Sequence, residues 1–286
     1  MTMEKTFQIG DFCFKLIYPQ DISIPDHFLR FETENDGAEY VYKMMISNDF
    51  PQAEGRLIAK RADLMVYNLN GLEIRYIGIK GIPEYYACYK EVDEGYANVY
   101  IHPQRMAGLS VDPVFVSLLA LERRMIQKDS LILHCAYISY QNEAILFSAP
   151  SETGKTTQAN LWEKYMHSKT INGDRGLLTK KKDEWIIQGF PVCGTSDVCF
   201  NETKAIKAIV MLSQGKENSV TRLNPLQAFT QIIGQITKNQ WNIQTSTKTI
   251  DLIEHLVNKV PIYHLSCTIS KEAVDCLVRE LYGEAK

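Results

Sequence analysis

The residues with the clearest chemistry are consecutive: Ala149-Pro150-Ser151-Glu152-Thr153-Gly154-Lys155-Thr156-Thr157. A short apolar run, Ala144 to Ser148, precedes them, and a stretch with Ala159, Trp162 and Met166 near helical spacing follows, reading as a helix from Lys155 to Ser168. A strand, a tight loop and a helix in that order make an anion cradle. Backbone N–H groups of the loop and of the helix start converge on one point, and the helix N-terminus favours negative charge. Gly154 lets the chain turn closely. Lys155 brings an ammonium to β- and γ-phosphates, and the Thr156 hydroxyl suits Mg2+. This is the Walker A pattern G-x-x-x-x-G-K-[ST] with Ala149 at the first glycine. Glu152 adds a carboxylate that is unfavourable if it faces phosphate. Ser151, Glu152, Thr153, Gly154, Lys155, Thr156 and Thr157 are the expected nucleotide-binding residues, for ATP with Mg2+. A Gly-Lys-Thr can fall at a helix start by chance; the flanking strand and helix argue against that here.

Phosphoryl transfer also needs a group that holds metal or takes a hydroxyl proton. Asp174 is the best candidate, in Asn172-Gly173-Asp174-Arg175-Gly176, after a short strand Lys169 to Asn172. A parallel β–α–β unit would return the chain beside the loop there. An Asp in a Gly-rich bend is also a common turn residue. His134 lies in the apolar strand before the loop strand; it is either a satisfied core residue or a proton-transfer partner at the terminal phosphate. Gly189 to Ser196 reads as a shaped, exposed loop that contacts an acceptor or simply turns the chain. Arg175 and Arg222 could pair with phosphate or be solvated.

These residues need a frame. The chain has 286 residues, 45% apolar and 23% charged, enough for one large domain or two modest ones. Residues 1–108 carry short β-type runs at Phe12 to Ile17, Gly37 to Ile46, Leu57 to Lys60, Leu64 to Tyr67, Leu72 to Ile79 and Ala97 to Ile101, with a hairpin turn at Asn68 to Gly71. A helix is expected from Asp112-Pro113, with Asp112 as its cap, to about residue 127. Residues 109–286 then alternate strands and helices, so the fold expected is an α+β, strand-rich first region followed by an α/β domain. A net charge of −3 gives no global field for nucleic acid or anionic lipid. The first eleven residues lack a signal-peptide core, and no run reaches the roughly 20 apolar residues a membrane helix needs. The seven cysteines form no Cys-x-x-Cys pair and read as reduced thiols of a cytoplasmic protein.

The order of the motifs resembles the HPr kinase/phosphorylase family and its phosphoenolpyruvate-carboxykinase-like relatives. It runs Leu133-His134-Cys135, then Phe147 to Thr157, Asp174-Arg175, Gly189-Phe190-Pro191-Val192-Cys193-Gly194-Thr195 and Val260 to Leu265. The likeness spans roughly residues 112 to 283. It implies a P-loop kinase domain, His134 and Asp174 at the catalytic centre with Lys155, and Thr156 and Asp174 on the metal. Gly173 stands where that family has the first of two adjacent Asp residues, and the signature that supports action on HPr is missing. The chain therefore looks like a divergent member. The expected activity is transfer of the ATP γ-phosphoryl group to a hydroxyl of a peptide, protein or small molecule. The first region would bind the acceptor. A nucleotide-binding protein with a degenerate, non-catalytic site is the alternative. The oligomeric state is open, a homo-oligomer included.

Overall fold

The computed structural model describes residues 1–82 and 84–283. It is a mixed α/β protein with two large sheets and several helices. Two compact units divide the chain: Met1–Arg124 with Gln240–Ile243, and Met125–Asn239 with Gln244–Lys286. Residues 109–124, grouped from sequence with the second region, cluster with the first. Pro83 and residues 284–286, at which the sequence reading also extended its regions, lie outside the described residues.

The first unit is built on eight strands: β1 (Thr2–Ile9), β2 (Phe12–Pro19), β3 (Tyr40–Ile46), β4 (Arg56–Arg61), β5 (Leu64–Leu69), β6 (Leu72–Gly78), β7 (Tyr85–Asp93) and β8 (Tyr96–Ile101). Their order is β1-β2-β3-β8-β7-β6-β5-β4. The hairpin turn forms where Asn70 and Gly71 both take positive φ, joining β5 to β6. Strands β1 and β7 were not read from the sequence, because the first half of β1 is polar and exposed and gives no alternation. Short helix α1 (Asp26–Leu29) brings Phe28 onto Phe7, ring centroids 4.9 Å apart, within an aromatic core. The helix expected from 112 to 127 is two: α2 (Asp112–Ser117) and α3 (Leu121–Gln127), broken where Ala120 takes φ 49°. Asp112 is also not the cap. Val111 holds that position, and the Asp112 carboxylate meets His27 Nδ1 at 2.9 Å.

The second unit contains β9 (Ser130–Tyr140), β10 (Glu143–Ser148), α4 (Lys155–Met166), β11 (Lys169–Asn172), β12 (Arg175–Lys181), β13 (Glu184–Gln188), β14 (Lys204–Gln214), β15 (Ser219–Arg222), α5 (Pro225–Ile232), β16 (Ile236–Thr237), α6 (Ile243–Lys259), β17 (Ile262–Cys267) and α7 (Lys271–Tyr282). Strand β14 pairs with both β10 and β13, so β10, β9, β12, β13 and β14 close a ring. Strands β10, β14 and β17 run parallel and side by side. Apolar residues fill both faces: Leu133, Leu146, Ile209 and Leu256 in one cluster, Phe147, Trp162, Val210 and Leu277 in another. Helix α5 begins with a capping box between Asn224 and Gln227 and ends at Ile232, and Ile236 starts β16. All seven cysteines are free thiols. Among the described residues no helix is long and apolar enough to cross a membrane.

Candidate functional site

Strand β10 ends at Ser148, and its neighbour β9 continues past that end. The register pairs Ser148 with Cys135, so His134 is the first β9 residue beyond β10. The Ser148 hydroxyl donates to the His134 carbonyl at 2.8 Å. His134 therefore stands where the chain leaves the sheet for the 149–157 loop.

Within the loop, Ala149 is buried in the Phe147–Trp162 cluster and does not take a positive φ. Its methyl group packs, and no glycine is needed there. The left-handed positions are Glu152, at φ 65°, and Gly154, at φ 115°. A Cβ on Gly154 would meet nothing within 4 Å, so the backbone angle alone demands glycine. Helix α4 then starts without a side-chain cap and without an acidic residue in its first turn. Among the described residues, no backbone amide from 151 to 157 donates to a protein acceptor. Those orphan donors surround the start of a helix dipole.

Lys155 is only 7% exposed. Its Nζ donates to the carbonyls of Ala149 and Pro150 at 3.1 and 3.2 Å, and no carboxylate of the described residues pairs with it. Burial pushes its pKa down from the ordinary lysine value, and the Asp174 charge opposes that. A buried ammonium held only by neutral carbonyls is short of an anion.

Strands β11 and β12 lie along one side of β9 as a single interrupted edge, with the break at Gly173-Asp174. Strand β11 runs in the direction of β10, as a β–α–β return should, but β9 lies between them. The register sets Arg175 opposite His134, and the Cys135 amide donates to the Asp174 carbonyl at 2.9 Å. Asp174 Oδ1 lies 3.3 Å from His134 Nε2, and its Oδ2 lies 3.3 Å from Arg175 Nε. Burial works to raise the Asp174 pKa, but the His134 hydrogen bond and the Arg175, His134 and Lys155 charges outweigh it and hold the carboxyl below its ordinary value. Asp174 is thus an anion that feels the charge of Lys155.

Two elements position Asp174: the first, Asn172, carries a role not assigned from the sequence, and the second lies in the segment read from it as a loop or turn. Buried Asn172 accepts from the amides of Asp174 and Arg175 at 2.8 and 2.9 Å and donates to the Phe190 carbonyl at 2.9 Å, which fixes the bend. An Asn before Gly is the usual signal of such an Asx turn. The second element is the turn at 193–196. A Cβ on Gly194, at φ 61°, would lie 3.0 Å from Asp174 Cβ, and a Cβ on Gly173 would lie 1.9 Å from Ser196 Oγ. Ser196 thus occupies the space that a side chain at 173 would need. The Gly189–Ser196 segment is not exposed throughout: Phe190 to Cys193 are buried, and only the turn after them reaches solvent. Arg222 stands opposite Tyr263, at the far end of β17 from the loop, and is not brought to the site.

A cleft of about 430 Å³ opens on the other side of the loop, between Glu152, Thr153, Gly154 and Thr157 and the carboxyl ends of β14 and β17. The loop amides, Lys155, Thr156 and Asp174 offer donors and hard oxygen ligands suited to a Mg2+-bound polyphosphate.

Among solved structures, the HPr(Ser) kinase/phosphatase from Coxiella burnetii is similar at a TM-score of 0.33 and 10% identity, covering 52% of this chain and 94% of that one. A likeness this slight carries no functional weight. No curated protein matches. The family description "SynChlorMet cassette protein ScmC" matches residues 101–277, more than half of the chain, and the protein belongs to that family.

Proposed function

We propose that the second unit is an ATP-dependent phosphotransferase that moves the γ-phosphoryl group to a hydroxyl of a peptide, protein or small molecule. One observation supports this most: a run of unpartnered amides and a buried, anion-deficient Lys155 share a site with an ionised Asp174. The amides and Lys155 would bind the triphosphate and stabilise the charge that spreads over the transferring group. Asp174 would accept the proton of the attacking hydroxyl, with His134 orienting the carboxylate. The acceptor oxygen–phosphorus bond forms as the β–γ bridge breaks, leaving ADP. Mg2+, held by Thr156 and Asp174, would neutralise phosphate charge.

The test is transfer of γ-labelled phosphate from ATP to water and to candidate hydroxyl acceptors. Lys155→Ala should lower turnover at least about 100-fold, the size of effect expected for a lost electrostatic stabiliser. Asp174→Ala should abolish transfer while the loop still binds ATP. Undiminished transfer by Lys155→Ala would defeat the assignment. A second reading, nucleotide binding without catalysis, draws on His134 and Arg175 each engaging an Asp174 oxygen. Binding of Mg-ATP with no turnover on any acceptor would favour it.

A further inference from the structure

The cleft beside the loop lies at the ends of three parallel strands, β10, β14 and β17. At about 430 Å³ it is large enough for a small organic ligand, within the usual range of roughly 300–1,000 Å³. Loop residues Glu152 to Gly154 form one wall, so it is continuous with the amide cradle. A ligand whose phosphates sit on those amides has this cleft on one side and the His134–Asp174 pair on the other, because β9 and β14 flank β10 on opposite sides.

The polar groups of the wall have a definite sense. Gln158 is 2% exposed, and its Nε2 donates to Cys267 Sγ at 3.2 Å. Its Oε1 is buried with no hydrogen-bond partner among the described residues. An orphan buried acceptor requires a donor. Polyphosphate carries acceptors only and cannot supply one, whereas sugar hydroxyls and base amines can. Glu152, a carboxylate on the same wall, is also an acceptor; unfavourable against phosphate, it suits hydroxyl donors. Ile269, 79% exposed, adds an apolar surface at the mouth where a flat ring would rest. Gly215, also in the wall, packs closely on Ser266: a Cβ there would lie 2.1 Å from Ser266 Oγ.

We infer that this cleft takes the nucleoside part of the bound nucleotide, with Glu152 and the Gln158 carboxamide reading its hydroxyl or amine donors. The inference rests on the phosphate-binding reading of the loop. It leaves the His134–Asp174 side for the acceptor.

Calorimetric titration with Mg-ATP and with Mg-tripolyphosphate separates the two readings. Wild type should bind ATP at least about tenfold more tightly than tripolyphosphate, the worth of one or two well-made hydrogen bonds. Gln158→Met, which keeps the buried volume, should remove most of that advantage and leave tripolyphosphate affinity unchanged. Ile269→Ser, too exposed to disturb folding, should weaken ATP alone. Equal affinity of wild type for both probes would overturn the nucleoside cleft while sparing the phosphate loop. So would equal weakening of both probes by Gln158→Met together with no effect of Ile269→Ser. Binding of neither probe would remove the phosphate reading and this inference with it.

Discussion

Each unit buries a cluster of charges, and the two clusters are finished to different degrees. In the first unit Glu73, Glu91 and Glu122 face Arg75, Arg123 and Arg124, three carboxylates against three guanidinium groups. Glu73 is wholly buried, and its oxygens meet Arg75 at 2.7 Å, Arg123 at 3.0 Å and the Trp241 indole at 3.3 Å. Arg124 pairs with Glu91 and donates to the Tyr40 and Tyr89 hydroxyls at 2.8 and 2.9 Å. Some guanidinium N–H groups there are poorly aligned for hydrogen bonds, but each charge has an opposite charge beside it. In the second unit, among the described residues, Lys155 has only carbonyls and the adjoining amides have no acceptor, while Asp174 keeps a partly exposed carboxylate. A cluster that satisfies itself holds a fold. One that leaves a cation and donors unanswered supports the proposed anion site.

The contrast can be broken by removing one member from each cluster. Glu73→Ala takes one of two carboxylate partners from Arg75 and from Arg123, leaving three guanidinium groups to two carboxylates, and should destabilise the protein by about 3–5 kcal/mol, read as a fall in the denaturant midpoint. Asp174→Ala should cost under about 1 kcal/mol, since its partners are partly solvated, yet should end phosphate transfer. Equal stability losses would erase the distinction.

Gly173→Asp sharpens it at the site itself. The added side chain collides with Ser196, so the variant should lose roughly 1–3 kcal/mol through overpacking, and Ser196→Gly in the same chain should restore most of it. A Gly173→Asp protein as stable as wild type would show that the 193–196 turn yields readily. A change of opposite sign is expected at Glu152. Its left-handed backbone is costly for a residue with a Cβ, so Glu152→Gly should gain about 1 kcal/mol in thermal unfolding without ligand. By the nucleoside inference it should also weaken ATP against tripolyphosphate.

Much of the frame was legible because it is local. The apolar run at 144–148, Gly154-Lys155 and the spacing of Ala159 and Trp162 lie within a few turns of chain, and β10, the loop and α4 follow them closely. The same held for the Asn70-Gly71 hairpin. Strand β12 was missed because Arg175 to Lys181 mixes buried and charged residues without a clear alternation. Helix α2 ended early because Ala120 adopts a backbone angle that nothing in its type announces.

The sequence by itself determined the strand–loop–helix frame of the proposed anion cradle, since consecutive amides and one lysine need only each other and a strand and helix to hold them. It also named Asp174 and His134, but not that they meet. Their meeting, the filling of the place beside Gly173 by Ser196, and the cleft walled by Gln158 were decided only by tertiary structure. Those groups come from separate strands and turns, and sheet register brings them together. A slip of one residue in that register would turn each side chain to the opposite face.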